Sequence, residues 1–297
     1  MNERYGMEKT PFICDMKFDV RETLFISDLD GTLLEPDATL PEGSVDAIRE
    51  LSSLGVNLTY STARTIRSAK FILEGVPFTA PIGLMNGVLL RDMNAGKYVS
   101  GALLDHKTAE WITSLGGEPF VYTLTDDEEL FTAYRSFKNQ YMEDFLRERV
   151  DKYSKPFRKL DDFQTLIDEG QRIIYFCYLD AEENLAPIRD AIVQNVNSDG
   201  SPRAKCALYP DNYRDGLYYL EVFAPSASKG GVTRRLRELT GVRTVVSFGD
   251  NGNDIAMFEE SDYAFAVERA ADHIKAAADG VVPSGMGVLE FIKNHIK

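Results

Sequence analysis

The 297-residue chain has little cysteine, tryptophan or histidine, holding three, one and three of them. Cys14, Cys177 and Cys206 show neither metal-site spacing nor a paired framework. That excludes a disulfide-stapled secreted domain and fits a reducing, cytoplasmic setting. Basic charge is also short, with 33 Lys and Arg against 47 Asp and Glu and a net charge of −14. Nucleic-acid binders carry basic stripes, and this sequence has none. No apolar run is long enough to span a bilayer, and Met1-Asn2-Glu3-Arg4-Tyr5 lacks the apolar stretch of a signal peptide. Membrane partners are therefore not expected. If the ligand is an anion, the overall field repels it, and attraction must come from local cations and a metal.

What is present is ordinary globular material, 44% hydrophobic and 27% charged, in a chain long enough for two domains. Residues 1 to about 21 show no clear period and read as an N-terminal extension. A strand over Thr23–Ser27 follows. Val45, Ile48, Leu51 and Leu54 repeat at helical spacing up to Gly55. Val56–Ser61 alternates as a second strand, Ile66–Leu73 reads as a helix and Pro81–Met85 as a third strand. Residues 88–104 form a hairpin turning at Asn94-Ala95-Gly96. Alternating strands and helices predict an α/β fold with a parallel sheet.

The rhythm changes near Asp105. Residues 105–215 predict several helices and one clear strand at Ile173–Leu179, with charge-rich connections such as Asp126–Glu129. This reads as an α+β module inserted into the first domain, and Leu217–Phe223 is expected to lead back out. Helix, strand, helix, strand and helix then resume from Lys229 to the end. The expected division is 1–104 with 216–297 for the core and 105–215 for the insertion.

Polar clusters follow the apolar strands: Asp28/Asp30, Ser61/Thr62, Asn86 and Asp250/Asn253/Asp254. Ligands in open parallel sheets bind at the carboxyl ends of the strands, so these distant residues can converge. Alternate side chains of a strand share a side, so Asp28 and Asp30 can leave the strand together. Two such close carboxylates call for a cation or a shared proton, and Mg2+ prefers oxygen ligands. Lys229 stands at a helix start, where free backbone N–H groups also favour anions. His106, His273 and His295 stand outside every cluster. Trp111 reads as packing in a helix of the insertion.

Asp-x-Asp-Gly-Thr at 28–32, Thr62, Lys229 and Gly-Asp-x-x-Asn-Asp at 249–254 resemble, in order and spacing, the four motifs of the haloacid dehalogenase (HAD) superfamily. Asn86-Gly87 and the large insertion further resemble its Cof-type sugar-phosphatase branch, which carries a C2B cap. The resemblance implies a Rossmann-like parallel-sheet core with an inserted α+β, C2B-type cap that opens and closes over the active site. It implies a phosphatase in which Asp28 attacks phosphorus and Asp30 serves as acid and then base. Asp28, the backbone carbonyl of Asp30 and Asp250 would hold Mg2+, with Asp254 as a further ligand or a support. Thr62 and Lys229 would bind the phosphoryl group and act in catalysis; Asn86 and Asn253 would help fix the substrate.

The implied substrate is a small phosphorylated metabolite, a sugar phosphate by family resemblance. Dehalogenases proper lack the second carboxylate, so Asp30 favours phosphoryl transfer. Two alternatives use the same residues: a phosphotransferase or mutase, and a non-catalytic sugar-phosphate sensor. One departure stands out. The branch shows Thr-Gly-Arg where this chain has Thr62-Ala63-Arg64. If that turn needs positive φ, alanine would displace Thr62 or Arg64. Arg64 is accordingly left out of the expected site.

Overall fold

The computed structural model describes residues 16–125, 129–211 and 214–297. Cys14, most of the N-terminal extension and residues 126–128 of the acidic run lie outside the described residues. The chain divides into two compact units, Met1–Ser100 with Ser228–Lys297, and Gly101–Ala227.

The first unit begins with β1 (Thr23–Ser27), α1 (Ser44–Ser53), β2 (Asn57–Tyr60), α2 (Ile66–Ile72), β3 (Ile82–Leu84), β4 (Leu89–Asp92) and β5 (Lys97–Gly101). The second contains α3 (His106–Ser114), β6 (Phe120–Leu124), β7 (Leu130–Tyr134), α4 (Gln140–Tyr153), β8 (Phe157–Lys159) and α5 (Gln164–Asp168). It continues with β9 (Arg172–Asp180), α6 (Glu182–Gln194), β10 (Lys205–Pro210) and β11 (Tyr218–Phe223). The chain then returns with α7 (Lys229–Thr240), β12 (Thr244–Gly249), α8 (Ile255–Glu259), β13 (Tyr263–Val267), α9 (Asp272–Ala277), β14 (Gly280–Val282) and α10 (Met286–His295).

The core sheet runs β14-β13-β12-β1-β2, parallel throughout. Its strands are apolar runs because both faces are covered: every residue of β1 is buried, as are five of the six in β12. From β1 the chain moves to one side, to β2. After the insertion it enters β12 on the other side and continues to β13 and β14. The order therefore reverses between β1 and β12, and such a reversal opens a crevice at the strands' carboxyl ends. Strands β3, β4 and β5 form a small separate sheet, tied to the end of β2 by a parallel bridge between Ser61 and Gly83.

The N-terminal stretch read as an extension is in part built in. Phe18 is buried, meets Phe25 and Tyr263 edge-on, and donates its backbone N–H to the His295 carbonyl at 2.7 Å.

The inserted unit holds a six-stranded sheet in the order β10-β11-β9-β6-β7-β8, antiparallel except for β7 with β8. One strand had been expected inside residues 105–215. Strands β6 and β7 carry no alternation in Phe-Val-Tyr-Thr-Leu and Leu-Phe-Thr-Ala-Tyr. All five β6 residues are buried, so its sequence reads as a plain apolar run. Leu217–Phe223 does not lead out of the unit. As β11 it pairs with both β9 and β10, which carries the unit on to Ala227. Val121, Phe176, Tyr178, Leu220 and Val222 pack with Ile112, Leu166, Leu185 and Ile188 in one apolar core, and Trp111 packs against it. Phe145 of α4 stacks on Phe120 at 4.8 Å. Among the described residues no helix is long and apolar enough to cross a membrane.

Candidate active site

Asp28 is the first residue beyond β1. Its backbone N–H donates to the Phe248 carbonyl at 2.9 Å, and Ser61 N–H donates to the Ser27 carbonyl at 3.0 Å. The ends of β12, β1 and β2 are thus laced side by side at the crevice. The chain then turns through residues 29–34, closed by a 2.9 Å bond from Leu34 N–H to the Leu29 carbonyl. The turn requires Gly31 twice over. Its φ is +83°, and a Cβ there would lie 2.2 Å from Asp250 Oδ2.

Lys229 is the first residue of α7, which is capped by the Ser228 hydroxyl accepting from Gly231 N–H at 2.9 Å. Its side chain is only 1% exposed, and the ammonium donates to Asp28 Oδ1 and to Asp254 Oδ1, each at 2.6 Å. Asp254 is fully buried. Its Oδ2 accepts from the backbone N–H groups of Asp250 (2.9 Å) and Asn251 (3.0 Å), which folds the loop after β12 back toward the lysine. Asp250 accepts from the Thr32 hydroxyl at 3.2 Å.

Asp28, Asp250 and Asp254 bring carboxylate oxygens within 4.8 Å of one another. Three carboxylates against one ammonium leave an excess of negative charge in a site largely removed from water. Burial pushes the Asp28 carboxyl well above its ordinary range; Lys229 opposes this, and Asp254 and Asp250 add to it. Burial and then Asp254 raise Asp250 in the same direction. Burial alone would lower the Lys229 ammonium, but Asp28 and Asp254 together hold it above its ordinary value. The donor set is all oxygen and carries excess charge, so it fits a hard divalent cation.

Asp30 is exposed, and its carboxylate stands outside this cluster. It forms a two-point ion pair with Arg64, Nε to Oδ2 at 2.7 Å and Nη2 to Oδ1. Arg64, left out of the expected site, therefore belongs beside Asp30. Ala63 is not among the residues with positive φ, so the turn does not need the family's glycine. Thr62 is buried and its hydroxyl accepts from Arg64 N–H at 3.1 Å. Its backbone bonds Gly83 and Asn86, at 3.0 and 3.1 Å.

Asn86 and Asn253 are brought together, the Asn253 amide donating to Asn86 Oδ1 at 3.0 Å across 167 residues. Met85 and Asn86 both take positive φ, 52° and 56°. Asparagine tolerates this, whereas methionine rarely adopts it, which marks a constrained turn. Next to them Gly87, with φ +89°, lies where a Cβ would meet the Ser228 carbonyl at 2.2 Å. That close approach seats the turn against the start of α7.

Sequence reasoning missed Arg269. Its guanidinium donates to the carbonyls of Gly31 and Leu34, the latter at 2.7 Å. Nothing local in Glu268-Arg269-Ala270 marks it, because its partners are more than two hundred residues away.

Comparison with known proteins gives the family and the fold. The haloacid dehalogenase-like hydrolase family matches residues 25–292. The chain is 26% identical to YxeH of Bacillus subtilis over 271 residues, covering 86% of this chain and 91% of that protein. It is 23% identical over 286 residues to YwtE of the same organism, a 5-amino-6-(5-phospho-D-ribitylamino)uracil phosphatase, covering 89% and 95%. Among solved structures, TM0651 from Thermotoga maritima superposes with a TM-score of 0.69 at 21% identity, covering 91% and 96%. The HAD subclass IIB sugar phosphatase BT4131 gives 0.65 at 17%, covering 91% and 98%. The parallel-sheet core and the inserted antiparallel sheet are thus a HAD Rossmann-like fold with a C2B-type cap. The chain belongs to the haloacid dehalogenase-like hydrolases.

Proposed function

We propose that this hydrolase is a Mg2+-dependent phosphatase acting on small phosphomonoesters through an aspartyl-phosphate on Asp28. The observation that carries this reading is the buried Lys229 ammonium shared by Asp28 and Asp254, with Asp250 completing an all-oxygen cluster. Held by Asp28, Asp250 and the Asp30 carbonyl, Mg2+ would supply the charge that lets an anionic phosphate approach an anionic carboxylate. Asp254 has both oxygens engaged, by Lys229 and by two backbone N–H groups, so it acts chiefly by holding Lys229 and the Asp250 loop.

Lys229 fixes the Asp28 carboxylate and offsets charge on the phosphoryl group. Asp28 attacks phosphorus as the ester P–O bond breaks, and Asp30 passes a proton to the departing oxygen. Asp30 then takes a proton from water, whose oxygen attacks phosphorus and releases Asp28. Acid–base help of this kind is typically worth about 10²–10⁴-fold. Splitting the displacement in two lowers each barrier. Thr62 serves the phosphoryl oxygens, and the Asn86–Asn253 pair helps hold the substrate.

The substrate class is a phosphate ester of a polyhydroxylated chain. Sugar phosphates and the ribityl phosphate of YwtE's named substrate share that group. The test is a phosphoester panel with purified protein, with Mg2+ and with chelator. Release of inorganic phosphate that needs the cation is expected. Transfer to a second sugar without free phosphate, or ligand binding with no turnover across the panel, would sink the reading.

A further inference from the structure

We propose that Arg269 is a positioning residue for Asp30, acting through the backbone of the loop that carries it. Arg269 lies between β13 and α9, and its side chain is exposed, so core packing does not account for it. Its Nε and Nη2 donate to the carbonyls of Gly31 and Leu34, which bracket the part of the loop just beyond Asp30. That loop has no regular ladder to hold it. Asp30 is extended (φ −70°, ψ 123°), and Gly31 reverses the chain at φ +83°. A further tie comes from Gly285 N–H to the Thr32 carbonyl at 2.8 Å.

A guanidinium suits this task because its donors form a rigid planar fork, whereas an ammonium is a point charge on a flexible stem. Arg64 grips the Asp30 carboxylate and Arg269 grips the backbone beyond it. Together they set where the carboxylate points. A displacement of about 1 Å at a reacting group can cost on the order of 10²-fold in rate.

This inference rests on Asp30 being the acid that protonates the leaving oxygen. The test therefore compares two esters with the same ring and different need for that proton: phenyl phosphate, a poor leaving group, and p-nitrophenyl phosphate, a good one. The quantity is kcat/KM, which reports the steps up to phosphoenzyme formation and leaves out its hydrolysis. In Arg269→Gln, kcat/KM for phenyl phosphate should fall about tenfold or more, while that for p-nitrophenyl phosphate should change less than about threefold. Arg269→Lys keeps the charge but not the fork; it should show the same selective loss, and it serves if the glutamine variant does not fold. In an Asp30→Asn background, Arg269→Gln should leave the ratio between the esters unchanged. Equal losses on both esters, or a lowered melting temperature with an unchanged ratio, overturn the inference. Absence of turnover by the unaltered protein on either ester overturns instead the phosphatase reading.

Discussion

Replacing Lys229 by methionine keeps a long apolar stem in a buried slot and deletes the charge that two carboxylates share. Lys229, Asp28 and Asp254 are 1%, 4% and 0% exposed, so water cannot take over the role of the ammonium. Breaking a buried pair by removing one partner typically costs about 3–5 kcal/mol. Because one lysine serves two acids here, the upper half of that range is expected. The unit that carries the site has about 170 residues. For a unit of that size each kcal/mol shifts the melting temperature by roughly 2–4 °C, so the melting temperature should fall by roughly 10 °C or more.

The assay is calorimetry of chelator-treated protein at neutral pH. Lys229 is held above its ordinary value, so its stabilisation is complete below the unfolded pKa of about 10.4 and fades only as pH rises through the still higher folded value. The gap between the two proteins should therefore be flat from neutral to mildly alkaline pH. It should narrow as pH falls through the raised Asp28 value, where that carboxyl takes up a proton and no longer needs the lysine. A variant melting within about 2 °C of the unaltered protein would refute the argument that Lys229, Asp28 and Asp254 form one buried charge network.

Further outcomes follow from the same geometry. Asp28→Asn should abolish turnover and leave the fold intact, as read by circular dichroism beside the phosphate-release assay; retained activity would exclude a covalent intermediate on Asp28. The raised Asp28 and Asp250 carboxyls contribute stability that is present below about pH 4 and lost as pH rises through their folded values. Denaturant unfolding in chelator should then show Asp28→Asn gaining on the unaltered protein toward neutral pH, and added Mg2+ should close that gap. Gly31→Ala should cost at least about 1–2 kcal/mol from the left-handed backbone alone. It should also weaken Mg2+ binding measured by calorimetric titration, because its Cβ would meet Asp250. Ala63→Gly, which restores the family's usual residue, should lower stability by about 0.5–1 kcal/mol without raising kcat, since this turn does not use positive φ.

Most of the core could be read from local pattern. The end of the strand at Ser27 was legible because an apolar run stops abruptly at Asp28. Lys229 was read at a helix start, and in the structure Ser228 caps that helix. The inserted unit was less legible. Strand β6 is buried at every residue and loses the alternation that betrays a half-buried strand. β10 ends in Pro210 at the sheet edge, and a proline argues locally against a strand. Ala63 shows the reverse error: a family pattern suggested a strained turn, and the backbone took an unstrained path that keeps Arg64 on Asp30.

By itself the sequence determined which chemical groups stand at the ends of which strands, and their order. Both are local matters of an apolar run followed by polar residues and glycine. The tertiary structure decided how those groups divide the work. Lys229 reaches Asp28 across 201 residues and Asp254 across 25, so one ammonium serves two carboxylates. Asn253 meets Asn86, and Arg269 clamps a loop 238 residues before it. Such bonds depend on which strands lie side by side, and pairing between distant segments leaves no periodic trace in the chain that makes it.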